Sequence, residues 1–213
     1  MMQLSAQRFN AFLGGAVRQD VLWRRHSACP CVNPASGAAD PLCPVCGGTG
    51  HSWADPVPAW AGVTSQSPRR AYAVFGGWEL GDAVITIGSD SPLYAAAEFD
   101  RIQLLASTTP FSDVRTPGLN DRLRAPVQSI SRVFWLSADR STVVEGSVPT
   151  VGADGSLSWP DGGGPPQGVS YTVEGVRFLE LYVYGPLASD RNSGAASLPL
   201  KLAARNFDLI GRT

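Results

Sequence analysis

The chain has 213 residues, 44% of them hydrophobic, which is enough apolar material for one good core or one core plus a small module. Charged residues make up 16% and the formal net charge is −1, with Lys201 the only lysine. That balance argues against the basic field of a dedicated nucleic-acid-binding protein, while leaving room for a surface that DNA merely passes. With 23 Gly and 17 Pro, regular elements must be short and punctuated, which favours strands and turns over long helices.

In chain order, Leu4 to Leu13 carries Leu4, Phe9, Phe12 and Leu13 in a pattern that predicts a short helix, ended by Gly14 and Gly15. Ala16 to Arg25 reads as a strand. From His26 to Trp53 the chain is rich in Pro, Gly, Ala and Ser and holds all four cysteines, so it is poorly suited to folding by apolar burial. From Ala59 onward short strand-like runs recur: Ala71–Phe75, Ala83–Ile87, Arg101–Leu105, Ser129–Leu136, Val169–Val173, Arg177–Tyr184 and Leu198–Leu209. Asp154-Gly155 sits between two alternating segments, Ser147–Val151 and Ser156–Trp159, and predicts a hairpin turn. The aromatic residues, among them Trp60, Trp78, Trp135, Trp159 and Tyr182, read as core or sheet-face packing.

The expected architecture is mainly β: a β-barrel or sandwich with a short N-terminal helix and an inserted four-cysteine zinc knuckle. Three parts follow. Residues 1–23 form the helix and first strand, 24–56 the knuckle, and 57–213 a β-domain with flexible loops near 161–168 and 188–197. The start of the chain lacks the charged opening and apolar run of a signal peptide, and no stretch reaches about 18 uninterrupted apolar residues. The protein is expected to be made and folded in a reducing cytoplasm, with no membrane partner. There, four cysteines within 18 positions are metal ligands rather than disulfides.

Cys29 and Cys31 form a C-x-C pair and Cys43 and Cys46 a C-x-x-C pair. Two close pairs separated by a loop let two short turns present four thiolates to one ion, and zinc is the expected occupant. Gly47, Gly48 and Gly50 permit the positive-φ turns that such a knuckle demands. Pro30 and Pro44 restrict the chain next to a ligand before the ion arrives. His26 and His51, the only histidines, flank the cluster. Either imidazole could replace a cysteine as ligand, but four thiolates already complete a tetrahedron, so the expectation is that both stand outside the ligand set.

No catalytic constellation stands out. G-x-S-x-G, the phosphate-binding P-loop, G-x-G-x-x-G after a strand and H-E-x-x-H are all missing from the sequence. Asp82, Asp90, Glu98 and Asp100 lie near one another, but Gly81-Asp82 and Ser89-Asp90-Ser91-Pro92 read as turn formers. The expectation is a protein that is not an enzyme.

Two resemblances carry a functional expectation. Residues 43–50, CPVCGGTG, are similar to the C-x-x-C-x-G-x-G repeat of the zinc domain in DnaJ-type chaperones. One such repeat implies a zinc-knuckle half-site and no chaperone activity. Three stretches together resemble virion proteins of tailed bacteriophages from the neck or head–tail connector. They are CPCVNPASGAADPLCPVCGGTG, then ELGDAVITIGSDSPLYAAAEFDRI from Glu79 to Ile102, and the part from Val169 to Arg212 that leads into LPLKLAARNFDLIGR. This resemblance implies a structural subunit of a homo-oligomeric ring, joined to portal or adaptor and tail proteins, with DNA passing without sequence-specific binding. The protein would reside in the virion after assembly in the host cytoplasm. Two alternatives are a tail or baseplate structural protein, and a zinc-dependent nucleic-acid-binding module served by Arg24-Arg25 and Arg69-Arg70.

Overall fold

Strands that alternate apolar and polar residues bury one face each, and closing such strands into a ring hides that face without leaving an edge. The computed structural model describes residues 5–64, 82–123, 126–160, 162–186, 192–193 and 196–210. Helix α1 (Ala6–Gly15) opens on Ser5, whose hydroxyl accepts from the Arg8 N–H at 3.4 Å, and it ends at the expected glycine pair. Strands β1 (Arg18–Arg24), β2 (His26–Ala28), β3 (His51–Trp53), β4 (Val57–Thr64), β5 (Ala83–Ile87), β6 (Arg101–Arg115) and β7 (Val127–Leu136) follow. The remainder are β8 (Val143–Glu145), β9 (Thr150–Val151), β10 (Leu157–Ser158), β11 (Tyr171–Pro186), β12 (Asn192–Ser193), β13 (Ala196–Ser197) and β14 (Leu200–Asn206).

The chain forms two compact units, Met1–Leu105 with Glu180–Thr213, and Ala106–Leu179. Residues 57–213, read from the sequence as one β-domain, fall across both. In the first unit six strands close into a barrel in the order β14-β5-β4-β1-β6-β11, with β14 pairing back onto β11. Of the two expected architectures, this is the barrel. Its registers run Val21↔Ala59 and Trp23↔Val57 between β1 and β4, Val21↔Leu104 between β1 and β6, and Leu202↔Ile85 between β14 and β5. Val21, Ile85, Ile87, Ile102, Leu104, Leu181, Val183, Leu200 and Leu202 are all buried, so side chains fill the barrel. Leu13 of α1 is buried as well. Asp82 and Arg205 meet inside this unit in a buried bidentate pair, with Nε to Oδ1 and the terminal nitrogen to Oδ2 both at 3.0 Å.

In the second unit the strand order is β6-β11-β7-β8. Leu123, Val133, Tyr171 and Val173 form its core, with Trp135, Val151, Leu157 and Trp159 packed against them. The Asp154-Gly155 hairpin is present, with β9 and β10 paired at Leu157↔Val151 and Gly155 at φ 79°. Residues 162–168 contain no strand, in line with the expected loop.

Several sequence expectations match closely. Ala83–Ile87 is β5, Ser129–Leu136 lies within β7, and Leu198–Leu209 covers β14 and the 3-10 turn Phe207–Leu209. Val169–Val173 and Arg177–Tyr184 prove to be one strand, β11, that bulges between Glu174 and Gly175. The Ser129 carbonyl would lie 2.2 Å from a Cβ at position 175, so only glycine fits there. Ala71–Phe75, Trp78, Arg69-Arg70 and most of 188–197 lie outside the described residues.

Candidate metal centre

The knuckle begins where the barrel register stops. Beyond Trp23↔Val57, β2 and β3 pair as a short stem at His26↔Trp53, Ser27↔Ser52 and Ala28↔His51. Cys29 continues that ladder by donating its N–H to the Gly50 carbonyl at 2.8 Å, which brings the first ligand beside the end of the second turn. The Val32 N–H returns to the Cys29 carbonyl at 3.0 Å, tightening the C-x-C turn. On the other arm, Gly47 donates to the Cys43 carbonyl at 2.9 Å and Thr49 to the Cys46 carbonyl at 3.2 Å. The loop between the arms is held by Asn33, whose Oδ1 accepts from the Ala35 N–H at 2.8 Å, and by Asp40, whose Oδ1 accepts from the Leu42 N–H at 2.9 Å.

These turns bring together all four sulfurs that the sequence singled out. The Sγ atoms of Cys29, Cys31, Cys43 and Cys46 lie within 4.8 Å of one another. Cys29 and Cys43 are 3.8 Å apart, and Cys31 and Cys46 are 3.4 Å apart. A tetrahedral ion with metal–sulfur bonds of about 2.3 Å places its sulfurs about 3.8 Å apart, so the cluster fits a single ion of that size. Each close pair joins one arm to the other, so an ion here ties the two turns together.

Backbone geometry favours thiolate at one corner. The Gly50 N–H donates to Cys46 Sγ at 3.3 Å. Burial raises the Cys46 thiol, but the backbone N–H groups of Gly50 and Gly48 and the Cys31 thiol outweigh it and hold Cys46 down to about 6. Burial instead pushes Cys31 up to about 12. A divalent cation would hold all four as thiolates together. Gly48 and Gly50 adopt φ of 86° and 76°, and a Cβ on Gly48 would lie 3.1 Å from the Pro41 Cα. These are the positions where the predicted glycine turns are required.

The histidines sit at the stem. His26 Nε2 and His51 Nδ1 are 2.9 Å apart, with the Phe99 ring 5.4 and 4.8 Å from theirs. Both imidazoles are held below their ordinary range, mainly by burial. Trp53 packs edge-on against Phe207 at 5.2 Å, and Phe99 stacks on Tyr182 at 6.3 Å. The Arg101 guanidinium lies 4.0 Å from the Phe207 ring centroid. The knuckle is thus seated on aromatic rings from the barrel.

One carboxylate fastens this seat. Asp100 is buried and accepts the Trp23 indole N–H at 2.8 Å, the His26 backbone N–H at 2.7 Å and the Ala97 N–H at 2.9 Å. Phe99 beside it has φ 65°, an unusual conformation for a bulky residue, with its N–H on the Val183 carbonyl at 2.8 Å and its own carbonyl accepting from Trp53 Nε1 at 3.0 Å. In the sequence Asp100 stands only as a member of a turn-rich acidic cluster, and its partners 74 and 77 residues away give no local signal. Asp82, also in that cluster, is committed to Arg205. Asp100→Asn keeps the shape but turns one acceptor into a donor facing N–H groups. It is expected to cost about 2 kcal/mol or more, measured by urea unfolding. It is also expected to loosen the stem, read as faster amide exchange at Ser27 and Ser52.

At its tip the knuckle is apolar. Leu42 is 88% exposed and Val45 72%, on either side of the buried Cys43. Among the described residues no helix is long and apolar enough to cross a membrane. Compared with known proteins, the chain matches no family model and no curated protein.

Proposed function

We propose that the protein is a structural, non-enzymatic subunit of a ring in the neck or head–tail connector of a tailed bacteriophage, with zinc holding the knuckle in shape. The observation that carries the structural role is a complete four-sulfur ligand set at the tip of a stem, next to exposed Leu42 and Val45. Zinc with four thiolates has no open position for a substrate or an activated water, so its contribution is rigidity. Thiolate-rich tetrahedral geometry selects zinc over hard cations such as Mg²⁺ and Ca²⁺. In this reading the channel for DNA is formed between copies, because the interior of each barrel is occupied by side chains.

The phage assignment itself rests on the sequence resemblance of the cysteine segment, of 79–102 and of 169–212. In this reading portal or adaptor and tail proteins flank the ring, and DNA passes it without sequence-specific contacts, as the net charge of −1 suits. The test is native mass spectrometry and electron microscopy of the zinc-loaded full chain. Six- or twelvefold rings are expected, with one zinc per chain by metal analysis. A protein that stays monomeric at high concentration, alone and with portal or tail components, defeats the ring reading. Well under one zinc per chain defeats the metal assignment.

A further inference from the structure

Two exposed apolar patches in the first unit carry opposite charge. The first is the knuckle tip, with Leu42 and Val45. Four thiolates around a divalent ion leave a net charge of about −2. Asp40 adds another negative charge, and the segment from His26 to Trp53 contains no Lys or Arg, so among the described residues the nearest cations, Arg25 and Arg101, lie at the stem and not at the tip. The second patch is the outer face of α1. Phe9 and Phe12 are 41% and 56% exposed there and lie three residues apart, so they share a face, while Leu13 points into the protein. Arg8, exposed and four residues before Phe12, adds a positive charge to that face, and α1 contains no acidic residue.

Their placement keeps them from satisfying each other within one chain. α1 leads into β1 at Arg18, and the knuckle stem leaves β1 after Arg24. The patches therefore flank opposite ends of a seven-residue strand, about 20 Å long at about 3.3 Å per residue. Two complementary, non-identical patches on one chain make a head-to-tail contact between copies. Repetition of such a contact generates a ring when the rotation closes.

We propose that the metal-bound knuckle of one copy docks on the α1 face of the next, with Leu42 and Val45 against Phe9 and Phe12 and Asp40 facing Arg8. This rests on the ring reading and supplies its interface. The occupant is a second copy because the charge and apolar character of each patch complement the other. The metal matters to the contact because it holds Leu42 and Val45 on one rigid turn, which lowers the ordering cost of docking.

The experiment uses the zinc-loaded full chain. Leu42→Asp and Phe12→Asp are each expected to raise the midpoint concentration for assembly by about tenfold or more, as for an apolar anchor at an interface centre. Arg8→Glu and Asp40→Arg are each expected to weaken assembly, and the double variant to recover it in part. All four positions are exposed, and zinc content with far-UV circular dichroism verifies that each variant is folded. Independently, a benzophenone amino acid at Leu42 is expected to crosslink to residues 6–15 of another copy. Rings that form equally well in the Leu42 and Phe12 variants, or crosslinks that map elsewhere, overturn this contact and leave the ring reading standing. A wild-type protein that never assembles overturns both.

Discussion

Removing the metal with a chelator, or replacing Cys43 with Ser, is expected to unfold the knuckle loop from Cys29 to Gly50 while the stem and the barrel stay folded. Beyond the stem, that loop has little else to hold it. Its buried apolar content is small, its turns are held by short-range backbone hydrogen bonds and by N–H groups donating to the Asn33 and Asp40 side chains, and two of its buried side chains are the ligands Cys29 and Cys43 themselves. A structural zinc contributes on the order of 10 kcal/mol of apparent folding free energy in small domains, far more than those contacts replace. The barrel, by contrast, has its own ring of strand pairs and a side-chain core that does not include the knuckle loop. Hydrogen exchange by mass spectrometry separates the two. Protection should collapse between Cys29 and Gly50 and persist at Ile85, Ile102 and Leu202. Simultaneous loss of both regions would mean that the metal holds the whole unit, and unchanged protection in the knuckle would mean that it is not metal-dependent.

Arg205→Ala is expected to destabilise the barrel by about 3–5 kcal/mol, the usual cost of taking one partner from a buried ion pair. The Asp82 and Arg205 side chains are only 5% and 8% exposed, and both carboxylate oxygens receive a guanidinium N–H. The guanidinium also lies 4.4 Å from the Tyr184 ring centroid, so alanine removes packing as well as charge. Arg205→Met restores much of the volume but not the charge, so it isolates the electrostatic part. Arg132→Ala serves as the comparison, because its pairing with Glu145 is solvent-exposed and screened by water, so its loss is expected to change stability little. Urea unfolding monitored by tryptophan fluorescence gives all three values. A loss for Arg205→Ala no greater than for Arg132→Ala would remove the pair from the account of barrel stability.

The cysteines were the most legible part of the site, because ligand spacing is a local property and the chelate is built from two short turns. What spacing did not reveal is that the sulfurs pair across the arms, Cys29 with Cys43 and Cys31 with Cys46. Short apolar runs rich in β-branched residues, such as Ala83–Ile87, were readable for the same local reason. The strand pattern of β6 is legible only as far as Leu105. Its continuation ASTTPFSDVR (Ala106 to Arg115), with Ser107, Thr108, Thr109 and Pro110, resembles a loop, and β1 pairs with β6 only over Arg101–Leu104. β4 begins with Val57-Pro58, and the proline hides its strand pattern, while the three-residue β2 and β3 are too short to show a period. The seat of the knuckle was illegible altogether. Asp100, Phe99, Tyr182 and Phe207 reach His26, His51 and Trp53 from distant parts of the chain, and each looked locally like a turn former or an ordinary core aromatic.

The register Trp23↔Val57 has a topological meaning. β1 and β4 are an antiparallel hairpin, and everything from Arg25 to Pro56 is its connection. Closure entropy grows only slowly with loop length, so a hairpin that tolerates a long connection tolerates a different one. The metal-bearing loop beyond the stem is therefore an interchangeable fitting on a fixed frame: its ends return to a paired stem that Asp100 and Phe99 hold, and the strand pairing makes no demand on what lies between them. A chain built this way can change what it docks against by exchanging one loop, without renegotiating its core.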